Sequence, residues 1–281
     1  MKLIECPRDA MQGIHDFIPT EVKAKYINQL LKVGFDTLDF GSFVSPKAIP
    51  QMKDTALVLD QLDLAATDTK LLAIVANVRG ASDACAFDEI SYLGYPLSLS
   101  ETFQQRNTNR SIESAMSDLA EMQDLSQTND KTLVVYLSMG FGNPYGDPYE
   151  MNYVEEFVSK LDAMEVEVIS LADTIGVSEP GVITKLFTEL IPKFPHIEFG
   201  AHLHSTPDTI EEKVQATFQS GCRRMDGAIK GFGGCPMAKD DLTGNMATEK
   251  MIAYFDREGI ETGLAMAAFD AAMEMAPSVF G

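Results

Sequence analysis

The sequence predicts a single α/β domain over residues 1–281, a (β/α)8 TIM barrel with an additional C-terminal helical segment. Short apolar, β-branched runs alternate along the chain with longer segments of helical period, a pattern typical of repeated βα units around a parallel sheet. The chain has 281 residues, 45% of them hydrophobic, and no Gly/Ser/Pro-rich linker or block of like charge divides it. One such barrel commonly needs roughly 250 residues, so the length fits one domain.

Eight apolar runs are the predicted strands of this barrel. They span residues 3–6, 37–42, 71–77, 89–96, 132–138, 166–173, 197–204 and 224–231. Segments such as TEVKAKYINQLLKVG and SIESAMSDLAEMQDL lie between them and carry apolar residues at helical spacing. A further helix is predicted at residues 263–275, outside the barrel.

The composition argues against several classes of protein. A formal net charge of -20 disfavours general binding to nucleic acid or to an anionic membrane, because such binding needs many lysines and arginines. No apolar stretch reaches the roughly 18 residues of a transmembrane helix, and the start MKLIECPRDAMQ lacks the features of a signal peptide, so we expect a cytoplasmic protein. The four cysteines show no CxxC spacing, which indicates reduced thiols.

Polar residues follow most of the predicted strands. In a TIM barrel the chemistry takes place at the carboxyl ends of the strands, so these positions are the candidates for a site. In chain order they are Arg8, Asp9, Asp39, Ser42, Asn77, Ser98, Glu101, Ser138, Asp173, Thr174, His202 and His204.

The H-x-H pair His202 and His204 is the first candidate for a metal site. Residues two apart on a strand share a face, so both rings can reach one cation, but the pair alone leaves metal ligation and simple strand capping about equally plausible. Asp9 adds a carboxylate, although an adjacent Arg8–Asp9 pair alone is more often a structural ion pair. Two imidazoles, a carboxylate and a further oxygen suit Mg²⁺ or Mn²⁺, and Zn²⁺, Fe²⁺ or Co²⁺ could also enter.

The segment KGFGGCPMAKDDLTGNMATEK follows the last strand and predicts a shaped loop. Cys235 lies in it, and a thiol in a polar, glycine-rich loop favours a functional role over core packing. Asn245 could supply a neutral oxygen ligand. Asp39 reads equally well as a strand-end cap or as a group in proton transfer. A few of the basic residues near strand ends, among them Arg79, could hold an anionic cofactor.

Several segments together resemble the 3-hydroxy-3-methylglutaryl-CoA lyase family, within the metal-dependent TIM-barrel group of acyl-CoA lyases and aldolases. They are ECPRDAMQ, FGSFVSPKAIPQM, SETFQQRNTNRSIE, ISLADTIGVSEPG, GAHLH and GFGGCPMA with GNMATE, and the similarity runs from Glu5 to about Gly263. The resemblance implies retro-Claisen cleavage of hydroxymethylglutaryl-CoA to acetyl-CoA and acetoacetate with Mg²⁺ or Mn²⁺. We accordingly expect an acyl-CoA substrate, no nucleic-acid or membrane partner, and a homodimer or other homo-oligomer.

The resemblance also implies roles for individual residues. Arg8 would stabilise the enolate that forms on the thioester oxygen, and Cys235 would donate a proton to it. Asp9 or His202 would act as the base, with Asp39 nearby as a further catalytic residue. The implied metal ligands are Asp9, His202, His204 and Asn245, and the expected substrate-binding residues are Gln12, Ser42, Asn77, Asp173 and Thr174.

Some positions depart from the family pattern. Asp39 replaces a longer Glu, Ser205 replaces the Asp that usually follows H-x-H, and Lys230 stands at a position usually occupied by a small residue. Near the ends of the motifs, Glu5 is displaced by one position and Met237 replaces an aromatic residue. Two alternatives therefore stay open: a related lyase or aldolase acting on another 3-hydroxyacyl-CoA or 2-oxo acid, and a non-catalytic metal or acyl-CoA binder.

Overall fold

Eight parallel strands form a closed barrel in the computed structural model, which describes residues 1–234 and 243–281. Neighbouring strands pair in the order β6-β5-β4-β3-β2-β1-β8-β7, and β6 pairs with β7 to close the ring. The predicted (β/α)8 fold is thereby confirmed. The strands are β1 (Lys2–Glu5), β2 (Thr37–Ser42), β3 (Lys70–Ile74), β4 (Ile90–Ser98), β5 (Thr132–Ser138), β6 (Val168–Asp173), β7 (Glu198–Ser205) and β8 (Arg224–Gly227).

Helices surround the barrel and follow the strands in alternation. The predicted C-terminal helix occurs at α11, where Tyr26 meets Phe280 edge to face with ring centroids 5.3 Å apart. In the described part of the chain the helices are α1 (Pro7–Gln12), α2 (Thr20–Leu31), α3 (Thr55–Leu59), α4 (Val78–Cys85), α5 (Glu101–Thr108), α6 (Ile112–Thr128), α7 (Met151–Asp162), α8 (Pro180–Lys193), α9 (Ile210–Gln219), α10 (Thr248–Arg257) and α11 (Met266–Phe280). Over residues 1–234 and 243–281, none of them combines the length and apolarity needed to cross a membrane.

Three of these helices begin at a residue whose side chain caps the first turn. Ser100 accepts a hydrogen bond from Phe103 N, and Ser111 accepts one from Ser114 N. Asn77, predicted as the end of a strand, instead precedes α4 and accepts from Gly80 N. Such caps satisfy backbone N–H groups that have no partner within the helix, so each fixes where its helix starts.

Two local differences from the predicted strands bear on the site. The strand expected at 224–231 ends at Gly227, and a 3₁₀ turn at Ile229–Gly231 follows because the buried carboxylate of Glu5 accepts from Ile229 N. A short strand that the sequence did not predict, β9 (Gly244–Asn245), pairs antiparallel with β7 and places Asn245 opposite His204. The second difference places Asn245 at the carboxyl end of β7, beside the histidine pair.

Candidate active site

A cavity of about 240 Å³ opens at the carboxyl ends of the strands. One wall is polar and carries Arg8, Asp9, His202 and His204. The lining also includes an apolar group, formed by Val44, Ile49, Ile74, Ala76, Pro96, Tyr136 and Ala172. The cavity therefore lies where the barrel fold places catalytic groups, and its lining combines charged and apolar side chains.

Asp9, His202 and His204 converge on this wall. One ligand atom from each lies within 4.8 Å of the others, which is close enough for a shared cation. Behind the site, His202 Nδ1 contacts Asp226 Oδ2 at 3.1 Å and His204 Nδ1 contacts the carbonyl oxygen of Thr174 at 3.0 Å. Both acceptors hold a proton on Nδ1, so Nε2 of each ring is the nitrogen left for a metal ion.

Asn245 completes the group of predicted ligands. Its Nδ2 donates to Asp9 Oδ2 at 2.6 Å and to Phe232 O at 2.8 Å. Gly233, with φ +86°, allows this close packing, since a Cβ there would lie 2.8 Å from Asn245 Nδ2 and 2.9 Å from Asp9 O. Gly233 therefore lets the backbone lie directly against Asp9 and Asn245.

The electrostatics of the three residues suit a cation. Burial by itself would raise the pKa of Asp9, but Arg8 and the two histidines lower it to about 2, so the carboxylate stays ionised at neutral pH. Burial and the neighbouring His202 lower the pKa of His204 to about 4, which keeps that ring neutral. For His202 burial works in the same direction, yet the contact with Asp226 raises its pKa.

Cys6, His202 and Asp226 form a second convergent group beneath the cavity. Cys6 is fully buried, and burial together with the surrounding carboxylates raises the pKa of its thiol well above the usual range. A thiol binds metal as the thiolate, so this group is the poorer candidate of the two. Neither Cys6 nor Asp226 is among the site residues that the sequence predicts.

Arg8 is held rigidly beside the three converging residues. Its Nε donates to both carboxylate oxygens of Asp39 at 3.1 Å, and Nη2 also contacts Asp39. Its Nη1 donates to Asp9 Oδ1 and to Gln12 Oε1, both at 2.9 Å, and Gln12 in turn donates to Asp9 at 3.0 Å. The pKa of Asp39 is raised to about 6 by burial, which Arg8 opposes. The result is a preorganised cation facing the cavity, suited to stabilise negative charge that develops on a substrate.

The five expected substrate-binding residues separate into three groups. Gln12 and Thr174 line the cavity. Ser42 and Asn77 line a neighbouring cavity of about 210 Å³, which shares Val44 with the first. Asp173 lines neither cavity: it is buried, and its carboxylate accepts hydrogen bonds from Val177 N and Ser178 N. Its position indicates a supporting role rather than direct substrate contact.

The structure also locates most of the departures from the family pattern. Ser205 is buried, and its backbone pairs with Gly244. Lys230 is exposed and has a φ of +59° in the turn after β8. Glu5 is buried and binds Ile229 N and Thr248 Oγ1, and burial raises its pKa to about 8. Cys235 and Met237 lie outside the described residues.

The chain is similar to proteins of one known family. The model of the family described as HMGL-like matches residues 3–275. The chain belongs to the HMGL-like family. It is 32% identical over 267 residues to the mitochondrial hydroxymethylglutaryl-CoA lyase of Mus musculus, a match that covers 94% of this chain and 81% of that protein. It is 31% identical to the cytoplasmic 3-hydroxy-3-methylglutaryl-CoA lyase of Rattus norvegicus, covering 94% and 76% of the two chains.

Solved structures of HMGL-like proteins share the whole fold. The HMG-CoA lyase of Bacillus subtilis superposes with a TM-score of 0.93 at 29% identity, covering 100% of this chain and 93% of that one. An HMG-CoA lyase of Acinetobacter baumannii, solved in complex with coenzyme A and 3-methylmalate, gives 0.91 at 27% identity over 100% and 91%. The predicted resemblance, and with it an enzyme of the carbon–carbon lyase class, is confirmed.

Proposed function

We propose that the protein cleaves 3-hydroxy-3-methylglutaryl-CoA to acetyl-CoA and acetoacetate with a divalent cation, Mg²⁺ or Mn²⁺. The observation that carries the proposal is the convergence of Asp9, His202 and His204 beside the fixed guanidinium of Arg8. Relatives that bear the name of this lyase over most of the chain support the choice of reaction.

The residues present fit a divalent cation. Asp9 supplies an ionised carboxylate and each histidine an available Nε2, with the amide of Asn245 beside them. A mixed nitrogen and oxygen set of this kind suits Mg²⁺ or Mn²⁺. Asp9, His202 and His204 would hold the cation, which would supply polarisation of the substrate's tertiary hydroxyl.

The protein's own residues account for the movement of charge. The proton of the tertiary hydroxyl passes to the carboxylate of Asp9. His202, the other candidate for the base, would have its Nδ1 proton held by Asp226 and its Nε2 directed at the cation, so it has no nitrogen free for this proton. The bond between C2 and C3 then breaks, the alkoxide carbon becomes the ketone of acetoacetate, and the electron pair passes into the enolate of acetyl-CoA. Arg8 donates a hydrogen bond from its remaining Nη2 proton to the enolate oxygen, and a proton delivered to C2 completes acetyl-CoA. Cys235 stays the proposed donor of that proton.

The neighbouring cavity is the proposed path of the CoA portion. It begins at Val44, which lines both cavities, and it carries the side chains of Lys53 and Arg79. These two cations suit the phosphates of CoA on a chain whose formal net charge is -20. The relative solved with coenzyme A supports acyl-CoA as the class of substrate.

Product identification across a panel of substrates tests this function. The purified protein with Mn²⁺ is incubated separately with hydroxymethylglutaryl-CoA, with other 3-hydroxyacyl-CoA thioesters and with 2-oxo acids that carry a hydroxyl. We expect acetyl-CoA and acetoacetate in equal amounts from hydroxymethylglutaryl-CoA alone. Turnover of a different member of the panel, with none of hydroxymethylglutaryl-CoA, would reject the substrate and favour the related lyase.

We also propose a cytoplasmic location, which relatives named as cytoplasmic forms support. Fractionation of cells that carry the native gene tests it, and recovery of the protein with a membrane or organelle fraction would contradict it. A homodimer or other homo-oligomer stays a prediction, for which sedimentation of the purified protein is the measurement.

A further inference from the structure

Lys213 of α9 is buried directly behind His204, with 2% of its surface exposed. Its Nζ donates to His204 O at 2.7 Å, to Asp173 Oδ2 at 3.1 Å and to Gly176 O at 3.2 Å. An ammonium group has three protons, and here each has an acceptor. A buried lysine is costly unless its charge is paired and its donors are satisfied, and this one meets both conditions.

These three contacts hold both partners of the hydrogen bond that orients His204. That bond joins His204 Nδ1 to Thr174 O. On one side, Lys213 fixes the backbone of β7 at the carbonyl of His204 itself. On the other side, Lys213 holds the chain before and after Thr174, through the carboxylate of Asp173 and the carbonyl oxygen of Gly176.

Asp173 extends the same support into the loop after β6. Its two carboxylate oxygens accept from Val177 N at 2.9 Å and from Ser178 N at 2.8 Å, in addition to Lys213. Gly176, with φ +75°, packs so closely on Thr243 that a Cβ there would lie 2.6 Å from its Cγ2. Thr243 lies two residues before Asn245, so the loop also contacts the segment that carries the fourth proposed ligand.

We propose that Lys213, together with Asp173, is a positioning residue for His204: the buried ion pair fixes the ring so that Nε2 faces the cation. The inference rests on the proposed metal site and deepens it. The contacts of Lys213 lie with the backbone and a carboxylate behind the ring, so its effect on the cation passes through His204. An intact ion pair is therefore a condition for tight metal binding.

The chain offers a matched control for the purely structural role of such a pair. Lys23 is also 2% exposed, and its Nζ donates to Asp54 Oδ1 at 2.7 Å and to Gln51 O. This second buried Lys–Asp pair joins α2 to the start of α3 and contacts none of the four proposed ligands. Lys23→Met removes a comparable buried charge while leaving His204 untouched.

The test compares Mn²⁺ dissociation constants by calorimetry, at a temperature where circular dichroism shows every variant folded. Lys213→Met should weaken Mn²⁺ binding by about 10- to 100-fold, the usual cost of losing support for a ligand, and Lys23→Met should change it less than twofold. The double variant Lys213→Met with Asp173→Asn removes both buried charges. The double variant should unfold at a free energy close to that of wild type but should bind Mn²⁺ as weakly as Lys213→Met. It replaces the single variant in the test if Lys213→Met does not fold.

The state of the His204 ring gives a second readout that needs no metal. Long-range ¹H–¹⁵N spectra of the metal-free wild type should show His204 fixed with its proton on Nδ1, and the double variant should show averaging between the two tautomers. Wild-type Mn²⁺ affinity and an unchanged ring in the double variant would overturn the role of Lys213 while the proposed function stands. Failure of the wild type to bind Mn²⁺ would overturn both.

Discussion

Asp226 is the residue whose replacement should show most clearly how the metal site is tuned. It is 2% exposed, it contacts His202 Nδ1 at 3.1 Å, and its other carboxylate oxygen has no hydrogen-bond partner among the described residues. Its negative charge acts on the His202 ring and also on the buried Arg224, in surroundings that screen it little. This contact raises the pKa of His202 in spite of burial.

We expect Asp226→Asn to weaken Mn²⁺ binding by about 10-fold and Asp226→Ala by about 100-fold. Loss of a carboxylate behind a ligating histidine usually costs 10- to 100-fold in affinity, which corresponds to about 1.4–2.7 kcal/mol. Asparagine keeps an acceptor for the Nδ1 proton and loses only the charge, so it belongs at the lower end. Alanine loses both the charge and the acceptor.

Isothermal titration with Mn²⁺ at pH 7.5 measures the effect, and the surface supplies the control. His196 contacts Asp162 in the same kind of His–carboxylate pair, but both side chains are partly solvated. Asp162→Asn should leave Mn²⁺ affinity unchanged. Dissociation constants of both Asp226 variants within twofold of wild type would refute the role given to this carboxylate.

Three further predictions concern stability, catalysis and the loop over the site. Glu5 has a pKa of about 8 when folded against 4.5 ordinarily, so the folded state retains a proton that the unfolded state loses, and stability should fall as pH rises from about 4.5 to 8. Glu5→Gln should remove this fall, so its free energy of unfolding should exceed that of wild type at pH 9 by at most about 5 kcal/mol and match it at pH 4.5. Urea unfolding at several pH values measures this difference, and parallel curves for the two proteins would contradict the prediction. Arg8→Gln should lower kcat by about 10²- to 10³-fold without weakening Mn²⁺ binding, and an equal loss of both would indicate that Arg8 supports the site rather than the reaction. Gly233→Ala should weaken Mn²⁺ binding, because its Cβ would lie 2.8 Å from Asn245 Nδ2. Gly13→Ala is the control, since a Cβ there meets nothing within 4 Å. Equal Mn²⁺ affinities for the two variants would contradict the role given to Gly233.

The strands and the histidine pair could be predicted because their signals are local. Alternation of apolar runs with helical segments depends only on residues that are close in the sequence. Two side chains that are two positions apart on a strand necessarily share a face. The end of β8 could not be predicted in this way. The predicted strand residues beyond Gly227 resemble those before them. The chain turns there because Ile229 N donates a hydrogen bond to the side chain of Glu5, which lies 224 positions earlier.

The supporting residues were missed for a similar reason. Lys213 and Asp226 read in the sequence as ordinary charged residues, since only tertiary packing buries them behind His204 and His202. Asn77 shows that one polar residue after a strand can give two signals: its substrate-binding role stays a prediction, and its side chain caps α4 at the edge of the neighbouring cavity. Polar residues at strand ends therefore indicate where a site lies better than which of them touch the ligand.

The location of a bound cation tests the central claim most directly. Crystals grown with Mn²⁺ and measured at a wavelength where manganese scatters anomalously should show one strong peak in the cavity, about 2.1 Å from Asp9, His202 Nε2 and His204 Nε2. A peak among Cys6, His202 Nδ1 and Asp226 instead, or none in the cavity at saturating Mn²⁺, would contradict the account.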